Sequence, residues 1–140
     1  MTRRIYFAGS IRGGRGDQTI YLEIIRMLQS HGTVFTEHVG DEELEAIGED
    51  INDRCIHDRD LRWLRQAEFV VAEVTTPSLG VGYEIGKATE WEKPVLCLYR
   101  NGGERKLSAM IGGCPGVNVT NYETLSDLDP IFDAFFTCGL

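Results

Sequence analysis

The sequence predicts an α/β fold, with a doubly wound (Rossmann-like or flavodoxin-like) parallel sheet of five strands and helices on both faces. Short apolar runs alternate along the chain with segments of helical periodicity, and glycine or polar residues follow most of the runs. Each run is apolar throughout, which is typical of strands buried on both faces of a parallel sheet. The 140 residues and 42% apolar content suit one such domain over 1–140.

Each element follows from these local patterns. Strands are predicted at 4–9, 33–36, 69–74, 94–99 and 116–119. Helices are predicted between them, at 17–31, 53–66, 83–92, 107–112 and 126–136. Asp17 is placed as the cap of the first helix. Right-handed crossovers between parallel strands then give the doubly wound arrangement.

The net charge restricts the partners. The chain carries 22 acidic and 14 basic residues, a formal charge of -8, which argues against a nucleic acid polymer or an anionic membrane. The segment 37–53 holds eight of the acids and neither lysine nor arginine, so the rest of the chain is balanced. We interpret this segment as a solvated surface; the alternative is a docking site for a basic protein.

The cysteines and the N-terminus indicate the compartment. The four cysteines show no C-x-x-C spacing, so neither a zinc motif nor a thioredoxin-type motif is present, and Cys97 lies in an apolar run as an expected buried thiol. The N-terminus does not resemble a signal peptide, and no apolar run approaches the ~18 residues of a membrane span. We expect a reducing, cytoplasmic setting, with the nucleus an open possibility.

Three loops leave the carboxyl ends of the predicted strands, where ligands bind in such folds. The first, 10–15, combines glycines, a serine and two arginines ahead of a helix, which favours phosphate binding; the alternative is a flexible turn with solvated arginines. It matches neither the G-x-G-x-x-G nor the Walker pattern. The other two loops are 75–84 and the segment after Tyr99.

Two carboxylates are candidates for chemistry, each with a structural alternative. Glu84 lies at the start of the predicted helix after the second loop. Its carboxylate either interacts favourably with the helix dipole or points into the site. Asp60 lies in a segment of alternating acids and arginines, which by composition favours an exposed ion-pairing face. Ser108 could cap a short helix. His57, with Cys55, forms too weak a pattern for a metal site.

Several motifs occur together in one order. They are 6–15 (YFAGSIRGGR), Asp60-Leu61 followed by Trp63-Leu64, 72–75 with 77–84 (AEVT and PSLGVGYE), and 107–111 (LSAMI). In these motifs the chain resembles the 2′-deoxynucleoside 5′-phosphate N-hydrolase family, within the wider nucleoside deoxyribosyltransferase group, and the similarity extends over residues 4 to 112.

The resemblance implies a role for each matching residue. Glu84 would be the nucleophile on C1′ of the sugar, Asp60 would assist as acid/base or hold the substrate, and Tyr6 would lie against both nucleophile and sugar. The 5′-phosphate would be bound by Ser10, Ile11, Arg12, Gly13, Ser78 and Gly80. Ser108 would reach it from the neighbouring subunit of a homodimer. No cofactor or metal is implied.

The implied reaction is hydrolysis of a 2′-deoxynucleoside 5′-monophosphate to free base and 2-deoxyribose 5-phosphate, through a glycosyl-enzyme intermediate. Cleavage builds positive charge at C1′ that a carboxylate can stabilise or trap, and the leaving base requires a proton. Three alternatives stay open: a ribonucleotide N-glycosidase of the CMP type, a nucleoside deoxyribosyltransferase, and a nucleotide-binding module without turnover. The sequence does not indicate the base.

Overall fold

The computed structural model describes residues 2–11, 15–38, 52–102 and 106–138. Arg12, Gly13 and residues 39–51 of the acidic segment therefore lie outside the described residues, and so does most of the segment proposed to dock a basic protein. Within the described ranges, no helix is long and apolar enough to cross a membrane.

Strands and helices alternate along the described chain. The strands are β1 (Arg3–Gly9), β2 (Gly32–Phe35), β3 (Phe69–Glu73), β4 (Val95–Arg100) and β5 (Val117–Tyr122). The helices are α1 (Arg15–Gln29), α2 (Asp53–Gln66), α3 (Leu79–Glu90), α4 (Ala109–Gly112) and α5 (Leu128–Cys138), with a 3₁₀ turn at Leu125–Asp127 before α5.

The five strands form one parallel sheet in the order β2-β1-β3-β4-β5. This confirms the predicted doubly wound fold, in its flavodoxin-like strand order. The chain moves outward from β1 to β2 and then returns past β1 to β3. The crossovers on the two sides of β1 therefore diverge, and a crevice opens between the carboxyl ends of β1 and β3.

Side chains of β1 alternate between two separate cores, one on each face of the sheet. Ile5 and Phe7 pack with α1 and α5, whereas Tyr6 and Ala8 pack on the face covered by α2 and α3. Both faces are buried, which is why the strand reads as continuously apolar in the sequence. Tyr6 is therefore on the same side of the sheet as the helices that carry Asp60 and Glu84.

Several predicted boundaries are wrong, for local reasons. Helix α3 begins at Leu79 and not at residue 83, because the Ser78 side chain accepts a hydrogen bond from the amide of Val81 (3.3 Å) and caps the helix. Glu84 consequently lies in the second turn. Asp17 is inside the first turn of α1 and does not cap it, and β5 extends to Tyr122 because it pairs with the whole length of β4.

Helices α2 and α3 are tied together at their carboxyl ends, away from the crevice. The Lys93 ammonium donates hydrogen bonds to the carbonyls of Arg65 (2.9 Å) and Ala67 (2.6 Å), where α2 ends. The Arg65 guanidinium lies 4.4 Å from the ring centre of Trp91, the residue after α3. These contacts satisfy terminal carbonyls and fix the two helices against each other.

Two glycines provide a test of the packing. A Cβ at Gly32 would collide with the backbone carbonyl of Arg3 in the β1–β2 pair, whereas a Cβ at Gly86, on the exposed side of α3, would meet no atom within 4 Å. Gly32→Ala should destabilise the fold by about 1–3 kcal/mol. Gly86→Ala should stabilise it by up to about 1 kcal/mol, because alanine favours the helix.

Urea unfolding of both variants measures these changes. If both variants lost stability, or if neither did, the close approach of β1 and β2 would not be what restricts position 32 to glycine.

Candidate active site

The crevice between β1 and β3 contains a cavity of about 440 Å³. Its walls come from the loop after β1 and from the start of α3, the two places where the phosphate-binding motifs were predicted. The lining residues are Gly9, Ser10, Ile11, Glu37, Pro77, Ser78, Leu79, Gly80, Val81 and Glu84. A Cβ on Gly9 would lie 3.2 Å from the Tyr21 ring, so this tight passage at the end of β1 favours glycine.

Glu84 is a buried carboxyl at the floor of this cavity, with 7% of its surface exposed. The Tyr6 hydroxyl donates a hydrogen bond to it, and its Oε2 atom is buried without a hydrogen-bond partner among the described residues. Burial raises the pKa of Glu84 to about 7, the Asp60 charge adds to this rise, and the Tyr6 hydrogen bond opposes it. The helix-dipole alternative requires the first turn, and Glu84 is not in it.

Tyr6 is held as a neutral donor. It is almost fully buried, and burial together with the negative charges of Glu84 and Asp60 raises the pKa of its hydroxyl well above the ordinary value. The phenol therefore keeps its proton at neutral pH and directs it at Glu84.

Asp60 is also buried, with 5% exposure, so the exposed ion-pairing face predicted from composition is wrong. Its Oδ1 accepts a hydrogen bond from Arg59 Nε (3.0 Å), and the Arg59 guanidinium lies 4.8 Å from the ring centre of Trp63. Phe35 stacks in turn on Trp63. The arginine thus compensates the buried charge while the aromatic rings restrict its position.

A second cavity, of about 220 Å³, lies beside the first. It is lined by Glu37, Asp53, Ile56, His57, Asp60, Leu61, Gly80, Tyr83 and Glu84. Glu37, Gly80 and Glu84 line both cavities, so the Glu84 carboxyl stands where they meet. If a ligand had one part in each cavity, the bond that joins the two parts would lie next to this carboxyl.

The structure brings most of the proposed site residues together. Tyr6, Asp60 and Glu84 form one cluster, and Ser10, Ile11, Ser78 and Gly80 line the larger cavity above it. Gly80 lies in the first turn of α3, not in a loop as predicted. Arg12 and Gly13 lie outside the described residues.

Tyr6, although it is hydrogen-bonded to Glu84, lines neither cavity, and neither does Ser108. Its side chain accepts a hydrogen bond from the Met110 amide (3.2 Å), so it caps α4 as the sequence suggested. It lines a third cavity, of about 500 Å³, together with Ser78 and Leu79.

Sequence reasoning missed Glu37 and His57. Glu37 was assigned to the solvated acidic segment, yet it is only 19% exposed and lies 3.8 Å from Arg59. His57 bonds to the Tyr83 hydroxyl (3.0 Å) in the wall of the smaller cavity. No local pattern distinguished either residue, because both positions depend on packing between distant segments.

The arrangement provides a buried carboxyl with a raised pKa, a second buried carboxyl and a neighbouring cavity lined partly by polar groups. This set suits attack on an electron-poor carbon with proton transfer to a leaving group. Among the residues that the structure describes, no group of three or more His, Cys, Asp or Glu could hold a metal ion.

The burial of Glu84 predicts a pH-dependent stability. Its pKa is raised from 4.5 to about 7 in the folded chain, so ionisation of this group opposes folding as pH rises from 4.5 through 7. Glu84→Gln removes that charge and should stabilise the protein at pH 8 by up to about 3 kcal/mol, and much less at pH 5. Urea unfolding at both pH values measures it.

The matched control is Glu90→Gln, an exposed residue of the same helix, which should have no such pH dependence. An equal effect of Glu84→Gln at pH 5 and pH 8 would contradict the burial argument.

Comparison with known proteins assigns the chain to a family. The 5-hydroxymethyl-dUMP N-hydrolases of Tetraodon nigroviridis and Rattus norvegicus are 49% and 51% identical to it, over 96% and 94% of this chain and 97% and 85% of the relatives. The structure of Clostridium botulinum CMP N-glycosidase, BcmB, has a TM-score of 0.70 over 95% of this chain and 99% of that one, at 15% identity, which shows a common fold. The sequence model of nucleoside 2-deoxyribosyltransferase matches residues 5–127, and this chain belongs to that family.

Proposed function

We propose that the chain hydrolyses the N-glycosidic bond of 2′-deoxynucleoside 5′-monophosphates, giving free base and 2-deoxyribose 5-phosphate. The observation that carries the proposal is Glu84, a buried carboxyl at the meeting point of two cavities, with one oxygen that has no hydrogen-bond partner among the described residues. The N-hydrolase names of relatives at about half identity support the same reaction class. Glu84 as nucleophile, and the glycosyl-enzyme, belong to the proposal.

The chemistry follows from the geometry around C1′. Glu84 Oε2 attacks C1′ as the bond to the base nitrogen breaks, and the electron pair of that bond leaves with the base. A proton carried by Asp60 passes to the base as it leaves; water then adds to C1′ of the glycosyl ester and returns a proton to Asp60, which releases the sugar phosphate and restores the Glu84 carboxylate. Tyr6 orients the attacking carboxylate through its hydrogen bond.

The cavity of about 440 Å³ between β1 and α3 is the proposed binding site of the 5′-phosphate. Ser78 uses its oxygen as an acceptor for the helix cap, which leaves its hydroxyl proton for a phosphate oxygen. The amino end of α3 adds a partial positive charge. Ser10, Ile11 and Gly80 complete the described wall, and Arg12 and Gly13 are proposed from the family motif.

The three alternatives are weighed on the same site. A ribonucleotide N-glycosidase would have to accept a 2′-hydroxyl beside the Tyr6 ring, which is buried and hydrogen-bonded to Glu84 and therefore difficult to move. A transferase acting on free nucleosides would not require the serine-lined phosphate cavity. The third alternative, a module without turnover, does not require a carboxyl with a raised pKa at the junction.

We further propose that the active unit is a homodimer. Leu79 is 97% and Met110 82% exposed, and both border the cavity that Ser108 lines. Such exposure of large apolar residues is costly in water and favours coverage by a second copy. A partner's Ser108 would then be supplied to the site, which agrees with its absence from the walls around Glu84 within one chain.

The reducing, cytoplasmic setting also stays part of the proposal. Cys97 is buried, and burial raises the pKa of its thiol to about 12, so it is an unreactive packing residue and not half of a secreted-type disulfide framework.

The activity test is a substrate panel. The protein is incubated with dNMPs, NMPs and 2′-deoxynucleosides, with 5-hydroxymethyl-dUMP included because two relatives bear that name, and free base is quantified. A dNMP should be cleaved well ahead of its ribo and unphosphorylated counterparts. Glu84→Gln should reduce kcat/KM by about 10³-fold or more, and Glu90→Gln should leave it unchanged.

Each alternative has its own outcome in this panel. Equal rates on dNMP and NMP would favour the ribonucleotide enzyme, and base exchange without net hydrolysis would favour the transferase. Undiminished hydrolysis by Glu84→Gln would identify the activity as a contaminant.

The shared site is tested by mixing subunits. If Ser108 acts across the dimer, Ser108→Ala mixed with Glu84→Gln forms heterodimers in which one site has both wild-type groups, so activity should rise above the average of the two preparations. If Ser108 acts within its own chain, mixing should bring no gain. Met110→Glu should shift the wild-type dimer toward monomer in sedimentation analysis.

A further inference from the structure

A partly buried polar cluster lies next to the loop that carries Ser78 and has no place in the chemistry above. Its centre is the Asp17 carboxylate in the first turn of α1. One of its oxygens accepts a hydrogen bond from the Arg100 guanidinium (2.8 Å) and the other accepts one from the Thr76 hydroxyl (2.7 Å). We call Asp17, Thr76 and Arg100 the Asp17 clasp.

The clasp joins three elements that are distant in the sequence. Asp17 belongs to the helix that follows the first loop, Thr76 precedes Ser78 by two residues, and Arg100 ends β4. The Arg100 amide also donates to the Thr75 hydroxyl oxygen (2.8 Å), which holds the second loop from its other side. The start of α1 and the loop after β3 are therefore tied together through side chains.

The clasp has a rigid base. Glu73, at the end of β3, is fully buried; it accepts hydrogen bonds from the Thr75 amide (2.7 Å) and from the Tyr122 hydroxyl. Its carboxylate lies 3.8 Å from the Arg100 guanidinium, so the arginine is held between two acids. Paired charges in a partly buried position keep one geometry, since moving either would leave a desolvated charge uncompensated.

Ionisation of Asp17 is secured by its partners. Burial tends to raise the pKa of Asp17, but the hydrogen bonds from Arg100 and Thr76 outweigh it and lower the pKa below the ordinary value. The clasp is consequently closed throughout the neutral pH range.

From this geometry we propose that Asp17 and Arg100 are positioning residues for the 5′-phosphate. Neither lines the cavity, but the clasp fixes the loop that carries Ser78 to the start of α1 and to the end of β4, and so holds Ser78 in position relative to Ser10 at the end of β1. The inference rests on the proposed function for the identity of the ligand. Hydrogen-bond donors to a phosphate act only within a few tenths of an ångström of their optimum, so a displacement of Ser78 relative to Ser10 weakens phosphate binding and leaves the groups at C1′ in place.

The test compares three variants in the full-length protein. Asp17→Asn removes the charge of the clasp, Arg100→Gln removes its partner, and Glu23→Gln, which breaks the exposed ion pair with Arg26 on the same helix, is the matched control. The two clasp variants should raise KM for the dNMP about tenfold with kcat changed less than about twofold. Arg100→Lys should restore part of the loss, and Glu23→Gln should change nothing.

A second readout separates positioning from mere stability. Inhibition by 2-deoxyribose 5-phosphate should weaken in parallel with KM, whereas inhibition by the free base should not change. The double variant should be no worse than either single variant, because both break one clasp. Equal losses with the phosphate-bearing and phosphate-free inhibitors, an unchanged KM, or a fall in kcat alone would overturn the proposal.

Failure of the proposed function is distinguishable from failure of this inference. If the wild-type protein cleaves no dNMP, the proposed function fails, yet calorimetric titration with inorganic phosphate still compares the wild-type protein with Asp17→Asn. Weaker phosphate binding by the variant would support the clasp, and equal binding would refute it.

Discussion

The order of strands around β1 is the constraint on which the rest of this structure depends. Because β2 and β3 flank β1, the crossovers on its two sides diverge and a crevice opens between the loops after β1 and β3. The same strand is buried on both faces, so alternate residues serve different cores and Tyr6 must face α2 and α3. The crevice, its tyrosine donor and the helices bearing both carboxylates thus follow from one topological choice.

Burial of the Glu84 carboxyl is a compromise between two requirements. A carboxylate is more reactive when little water surrounds it, but its charge is then energetically costly to maintain. The Tyr6 hydrogen bond lowers the energetic cost of the buried charge. It leaves the Oε2 atom of Glu84 without a hydrogen-bond partner among the described residues. Asp60 obtains its compensation from Arg59 instead, so two neighbouring carboxyls on one face of the sheet have different surroundings and can take different roles.

The sequence predicted the features of the fold that are determined by neighbouring residues in the chain. Apolar runs and helical periodicity predicted the strands and most helices, since burial on both faces leaves a direct signature. The start of α3 was misplaced because glycines at 80 and 82 resemble a loop, although the Ser78 cap holds them in the helix. The cluster of Tyr6, Asp60 and Glu84 was assembled by resemblance to a family, because nothing in the spacing of these residues requires their contact.

The features that the sequence did not predict depend on packing between distant segments. Composition around Asp60 indicated an exposed face, and only the tertiary structure shows that Arg59 and Trp63 cover it. Glu37 and Arg100 are similar: an acid becomes part of the crevice wall and an arginine pairs with Asp17, because in both cases segments distant in the sequence meet. Charge pairs of this kind have no sequence period from which they could be predicted.

The contacts of Lys93 and Trp91 at the ends of α2 and α3 have a mechanical consequence. Glu84 lies six residues before the end of its helix, and Asp60 lies six residues before the end of its own. At 1.5 Å per residue both carboxylates stand roughly 9 Å above the tied ends, at the same height. Because the two helices are fixed to each other at this end, a change in the angle between them would separate the Glu84 and Asp60 carboxyls less than it would separate Ser78 from the start of α2.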